Sequence, residues 1–162
     1  MNEIGEQIAI DSLAAIRRTI EFCQVCPNDS WHALTEEEGW PVAAVVRHIA
    51  EAGRVLVGFA KEMAAGKDVT MTIAEIDAWN AAGVAEWAAT TRDEAIVALR
   101  EVGESAATAV RSYTEHQLAG VHLFAIYGQP RSTKRMAEGF ALHALEHLES
   151  ARAAVGSVAV VQ

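Results

Sequence analysis

Basic residues are scarce in this 162-residue chain: 13 Lys and Arg stand against 22 Asp and Glu, for a net charge of −9. No basic run exceeds two residues, so a surface that grips phosphate backbones is absent and no nucleic-acid partner is expected. Cysteine is equally scarce, and two cysteines cannot build a disulfide framework. The longest stretch free of Asp, Glu, Lys and Arg covers residues 116–130, 15 positions interrupted by His, Gln and Gly. It falls short of the roughly 20 apolar residues that span a bilayer, which argues against a membrane role. Met1-Asn2-Glu3-Ile4 carries no basic stretch followed by an apolar one, so an export signal is not expected and a cytoplasmic location is. With only 3 Pro and 11 Gly, disordered and collagen-like classes fall away.

What is abundant is helix-forming residues, Ala above all, with 51% hydrophobic content. At this length, residues 1–162 are expected to form one domain, burying about 70% of the surface of the unfolded chain. Four segments carry helical periodicity. The first, residues 3–26, has Leu13, Ile16, Ile20 and Cys23 on one face and ends at Pro27-Asn28-Asp29. The second opens with Pro41 at the first helical position, carries Val42, Val45, Ile49, Leu56, Phe59 and Met63, and closes at Gly66. The third begins at Thr90-Thr91-Arg92-Asp93-Glu94, where Thr91 and Glu94 have capping-box spacing, and continues through Leu99, Val102, Ala106 and Val110. The fourth starts at Ser132 or Thr133 and runs through Met136, Phe140, Ala144, Leu148 and Ala151 to Gly156. Matched lengths predict side-by-side packing in an all-α four-helix bundle. Residues 67–89 contain a short helical pattern of their own (Ile73, Ile76, Trp79, Asn80). A link that long can cross the bundle, so consecutive helices need not be antiparallel. Residues 116–130 predict an irregular loop or a short hairpin.

The most informative feature is His143-Ala144-Leu145-Glu146-His147. Residues four apart on a helix share a face, and two neutral imidazoles there can bind one first-row metal ion. Met136, Phe140, His143, His147 and Ala151 fall on one inward stripe, so the pair is either a set of hydrogen-bonded core histidines or a ligand pair. His48, beside Ile49 of the second stripe, reads by itself as a boundary histidine, but it can also point inward from a facing helix and complete a three-nitrogen site with open positions. An inverted zinc-peptidase reading of His143-x-x-Glu146-His147 fails because only 15 residues follow it. A di-iron reading fails because no histidine has Glu three residues before it.

Gly39-Trp40-Pro41-Val42-x-x-Val45-Val46-x-His48-Ile49-Ala50 resembles the start of the second helix in DinB-like metal-binding bundles. Asp77-Ala78-Trp79-Asn80 resembles the short crossing helix of that superfamily, and Ser132-Thr133-Lys134-Arg135-Met136 leading into His143-x-x-x-His147 resembles its last helix. The superfamily includes mycothiol-dependent maleylpyruvate isomerases and bacillithiol- and glutathione-dependent transferases. The resemblance implies an up-down-down-up bundle with a divalent metal, nickel or zinc, on residues matching His48, His143 and His147. It further implies a metal-dependent thiol transferase or isomerase acting on an electrophilic substrate, with a low-molecular-weight thiol as cofactor. The alternatives are a non-catalytic member, or a stress-related helical module working as a homodimer.

An anionic thiol needs anchors, and Arg131, Lys134 and Arg135 cluster at the start of the fourth helix, where the macrodipole disfavours cations. The competing reading of that cluster is a solvated patch. Cys23 and Cys26 read as small buried thiols and only weakly as ligands mixed with His143 and His147. Trp31, Trp40, Trp79 and Trp87 read as core or helix-junction anchors. His32, His116 and His122 fall in or beside loops without partners at ligand spacing. Glu36-Glu37-Glu38 reads as a solvated acidic turn, and the apolar tail Val158-Ala159-Val160-Val161 as a segment that docks on the bundle or on a second subunit.

Overall fold

A computed structural model describes residues 2–161, with side chains to Gly156. Four long helices form the bundle: α1 (Glu3–Val25), α2 (Val42–Ala64), α4 (Arg92–Ser112) and α6 (Thr133–Val161). Between α2 and α4 lies α3 (Ile73–Ala88), and a short α5 (Glu115–Ala119) precedes a hairpin of β1 (Val121–Phe124) and β2 (Gln129–Ser132). No helix among the described residues is long and apolar enough to cross a membrane.

Side-chain pairs fix the direction of each long helix. Arg111 near the end of α4 makes a two-pronged ion pair with Glu6 at the start of α1. Arg92 at the start of α4 donates to the carbonyl of Cys26 just past α1, so α1 and α4 run antiparallel. Arg47 lies close enough to Glu94 to favour its charged form, and seven residues further along both helices Arg54 bonds Glu101 at 3.1 Å. α2 and α4 are therefore parallel. Gly53 of α2 faces Phe140 of α6, while His48, earlier in α2, faces His147, later in α6; this pair is antiparallel. The order is up-down-down-up. The main contact faces join α1 with α4 and α6, and α2 with α4 and α6, so α1 stands diagonally opposite α2.

The caps follow side-chain chemistry. Thr91 and Glu94 form the reciprocal box that their spacing predicts, and Thr72 with Glu75 does the same for α3. Pro41 occupies the cap position and α2 begins at Val42, one residue later than expected, within the usual ambiguity of helix ends. The link between α2 and α4 holds a helix of 16 residues, longer than the short pattern read from sequence. The last helix does not stop at Gly156 but continues to Val161; docking by the tail falls on side chains outside those described. The stretch expected as a loop or short hairpin is a hairpin preceded by a turn of helix, capped by Thr114 and Gln117. Val69 joins it from the other side, donating to the carbonyl of Leu123 and accepting from the amide of Ala125.

The core runs the length of the bundle. Ile16, Cys23, Val45, Ile49, Leu99, Val102, Phe140 and Leu148 are all buried, from the stripes marked by helical periodicity. Cys23 and Cys26 are free and buried. Burial, with Cys26 nearby, pushes the Cys23 thiol up to about 12, so both behave as small apolar fillers.

Candidate metal centre

His48 sits in the second turn of α2, 4% exposed, pointing across the bundle at α6. There His143 and His147, four residues apart, lie on one face. The ring centroids of His143 and His147 are 4.4 Å apart, and each lies close to that of His48, at 5.2 and 4.8 Å. One ligand nitrogen from each of the three falls within 4.8 Å of the others. Among the described residues this is the group of three or more ligating side chains, and no cysteine joins it.

Electrostatics favour the neutral form of two of these rings, His48 and His143. Burial is the largest cause, with the neighbouring imidazoles adding to it, and it lowers His48 to about 4 and His143 to about 3. Both also carry a buried nitrogen without a hydrogen-bond partner, Nδ1 of His48 and Nε2 of His143. A buried polar atom left bare costs about 1–3 kcal/mol, so a cluster holding two such atoms asks for something that accepts their lone pairs. Neutral imidazoles with free lone pairs are the form in which histidine binds a metal. The donor set therefore fits a borderline divalent cation.

His147 is held differently. Its Nδ1 lies 2.7 Å from Oε1 of Glu38, whose other oxygen accepts from the Ser150 hydroxyl at 2.5 Å. Burial would raise the Glu38 pKa, but hydrogen bonds from Ser150, Thr35 and His147 outweigh it and hold the carboxyl below its usual range. Glu38 is thus ionised and accepting, so Nδ1 of His147 donates this bond and Nε2 is the nitrogen left to ligate. A carboxylate behind a ligating imidazole is the usual device for fixing tautomer and ring orientation.

The turn that carries Glu38 is built locally. Thr35 donates from its amide and its hydroxyl to the carbonyl of Trp40, and Gly39 takes φ 68°, a backbone state that glycine adopts without strain. The reading of Glu36-Glu37-Glu38 as a solvated turn is corrected for its third member: the Glu38 side chain is only 9% exposed. Sequence reasoning missed it because its partners lie more than a hundred residues away.

Trp31 and Trp87 are buried, as core or junction anchors should be. Trp31 anchors a helix junction, donating to the carbonyl of Thr90. Trp40, Trp79 and Trp87 also ring His48, with centroids 5.4, 6.2 and 5.3 Å away. This wall, contributed by the turn before α2 and by α3, keeps one side of the cluster apolar.

The basic cluster at the start of α6 is split. Lys134 pairs with Glu138 at 3.7 Å and Arg135 approaches the same carboxylate at 3.9 Å. Arg131 lies over two rings, its guanidinium carbon 5.1 Å from the centre of Phe124 and 4.8 Å from that of Tyr127. Arg131 and Arg135, but not Lys134, line a cavity that also reaches His143. His32 and His116 are exposed and His122 half-buried, away from any ligating group among the described residues.

Known proteins share this architecture. YfiT from Bacillus subtilis, described as a probable metal-dependent hydrolase with an unusual four-helix bundle topology, superposes with TM-score 0.70 at 13% identity, over 96% of this chain and 86% of its own. The DinB-like protein YjoA from Bacillus subtilis superposes with TM-score 0.64 at 16% identity, over 94% of this chain and 92% of its own. No curated protein matches the chain. The family model of the DinB superfamily matches residues 13–151, a span that includes α2 and α4 whole, parts of α1 and α6, and the three clustered histidines. The chain belongs to the DinB superfamily.

Proposed function

We propose that His48, His143 and His147 hold one divalent metal ion and that the protein is a metal-dependent enzyme that activates a small nucleophile. The observation that carries this reading is the convergence of three imidazoles within 4.8 Å, two of them bearing unpartnered buried nitrogens. Such an ion, when bound, supplies Lewis acidity, lowering the pKa of water or a thiol and polarising a carbonyl. The chain's own residues set the conditions. Burial keeps His48 and His143 unprotonated and ready to ligate, Glu38 holds His147 in the ligating tautomer, and the three tryptophans exclude water from one side.

The nucleophile we favour is a low-molecular-weight thiol, giving thiol transfer to an electrophilic carbon or isomerisation by addition and elimination. Nickel and zinc both suit a three-imidazole donor set. A second reading is hydrolysis, with water in place of the thiol; it is supported by the likeness to YfiT, a probable metal-dependent hydrolase.

Untagged protein should bring down close to one equivalent of divalent metal, and His143→Ala should lose it. Protein that is metal-free as isolated and cannot be reloaded would overturn the assignment. In the cobalt-substituted form, a thiol that changes the visible spectrum supports the transferase reading. A spectrum indifferent to thiols, with turnover of activated esters, supports hydrolysis.

A further inference from the structure

Beside His143 a cavity of about 180 Å³ opens between α6 and the hairpin. It is smaller than the ~300–1,000 Å³ typical of a complete small-molecule site, so its size suits one end of a ligand. Arg135, Gly139 and His143 line it at successive turns of α6, with Glu146 one turn further. Gly139 has no side chain to fill the groove, and a Cβ there would meet only the Met136 terminal methyl at 3.8 Å. Eight residues of helix put Arg135 about 12 Å from His143 along the axis, and Arg131 reaches the same cavity from β2.

Arg131 is the feature that nothing else in the fold uses. Its guanidinium carbon lies over Phe124 and Tyr127, contacts that hold the group in place, and among the described residues its guanidinium N–H groups make no hydrogen bond. Among the described residues it has no carboxylate partner, whereas Arg54 and Arg111 are paired with glutamates. An immobilised arginine with a free edge is suited to planar, two-pronged recognition of an oxyanion. Arg135 is shared with Glu138, and Glu146 places a negative charge in the same cavity. Arg131 and Arg135 set against Glu146 leave the charged side chains of the lining with a surplus of one positive charge, which matches a carboxylate better than a phosphate dianion.

We propose that this cavity binds the carboxylate of a small organic acid through Arg131, with the remainder of that molecule directed along Gly139 toward His143. That the bound molecule is a reactant rests on the metal-centre reading; the anion site itself does not.

The test is titration of the ¹⁵N-labelled whole chain with sodium propionate, with propionamide as the neutral isostere and inorganic phosphate as the alternative anion. Propionate should shift the Arg131 Nε–H and Gly139 amide signals saturably in the millimolar range, about tenfold more tightly than propionamide or phosphate. Arg131→Met should abolish the response, and Gly139→Leu should abolish it by filling the groove with Arg131 still in place. No saturable shift, an equal response to propionamide, tighter binding of phosphate, or binding that survives in Arg131→Met would overturn the proposal. A second arm compares 3-mercaptopropionate with 2-mercaptoethanol on the cobalt-loaded protein. A preference for the acid of about tenfold, lost in Arg131→Met, puts the carboxylate on the thiol. Equal binding of the two, with propionate still bound, puts it on the electrophile. Failure to take up cobalt overturns the metal reading and leaves the propionate result standing.

Discussion

Glu38 has two exposed acidic neighbours, Glu36 and Glu37, yet its own carboxylate faces inward to His147 and Ser150. The difference comes from the turn closed by Thr35 and Gly39, which folds the third residue of the acidic run back against α6. Removing a carboxylate that orients a ligating histidine typically costs 10- to 100-fold in metal affinity. Glu38→Gln should therefore weaken metal binding by about that factor in a chelator competition, whereas Glu36→Gln and Glu37→Gln should leave it unchanged. Equal effects at all three positions would show that net charge alone is at work. His143 and His147 could be picked out in sequence because helical spacing reveals a face, and His48 joined them through the resemblance. Glu38 could not, because a turn residue gains its role from a partner 109 positions away.

At the level of elements, the centre depends on how closely α2 approaches α4 and α6. A Cβ on Gly53 would fall 2.6 Å from a ring carbon of Phe140 and 3.0 Å from a methyl of Val102. The same atom on Gly58, one and a half turns later in α2, would meet nothing within 4 Å. Gly53→Ala should therefore destabilise the protein by about 1–3 kcal/mol through overpacking. Gly58→Ala should stabilise it by roughly 0.5–1 kcal/mol through helix propensity alone. Urea unfolding of the two variants checks this, and the same sign for both would refute the close-approach argument. The amphipathic stripes of α1, α2, α4 and α6 were legible because each buries one face. Helix α3 was legible as a pattern but not in its role, since few of its side chains are buried and Trp79 and Trp87 point at a histidine from another helix. The pairing of Val69 with the hairpin has no local signature at all.

For the whole molecule, folding and protonation are linked, and the metal binding proposed above would join them. In the unfolded chain histidine takes up a proton near 6.5, but in the fold His48 resists until about 4 and His143 until about 3. Between those values the unfolded state binds more protons, so stability rises with pH. For metal-free protein this contribution is complete above pH 6.5 and is lost as pH falls through the window down to about 4 and 3. It is on the order of a few kcal/mol for each of the two histidines, because holding a proton off over one pH unit is worth about 1.4 kcal/mol. Metal that binds only the folded state should add about 2.7 kcal/mol at a free concentration one hundred times its Kd. That corresponds to a rise in Tm of roughly 5–10 °C. Thermal melts with and without chelator at pH 7, and of the metal-free form from pH 7 to 4, test both effects. A metal-free Tm flat across that range would contradict the buried, neutral state of His48 and His143.

The sequence by itself determined the four helices, their inward faces and the His143–His147 pair on one of them, because helical periodicity and spacing are properties of neighbouring residues; His48 joined that pair through the resemblance. The direction of each helix came from the resemblance and is fixed in the structure by paired residues far apart in the chain, Arg111 with Glu6 and Arg54 with Glu101. Only the tertiary structure decided that His48 meets His143 and His147, that Glu38 is buried behind them, and that Arg131 is held over two rings beside the same helix. Those are contacts between distant segments. They are set by how α2 and α6 cross and by how the turn at Gly39 and the hairpin fold back on α6, geometry that no local pattern of residues records.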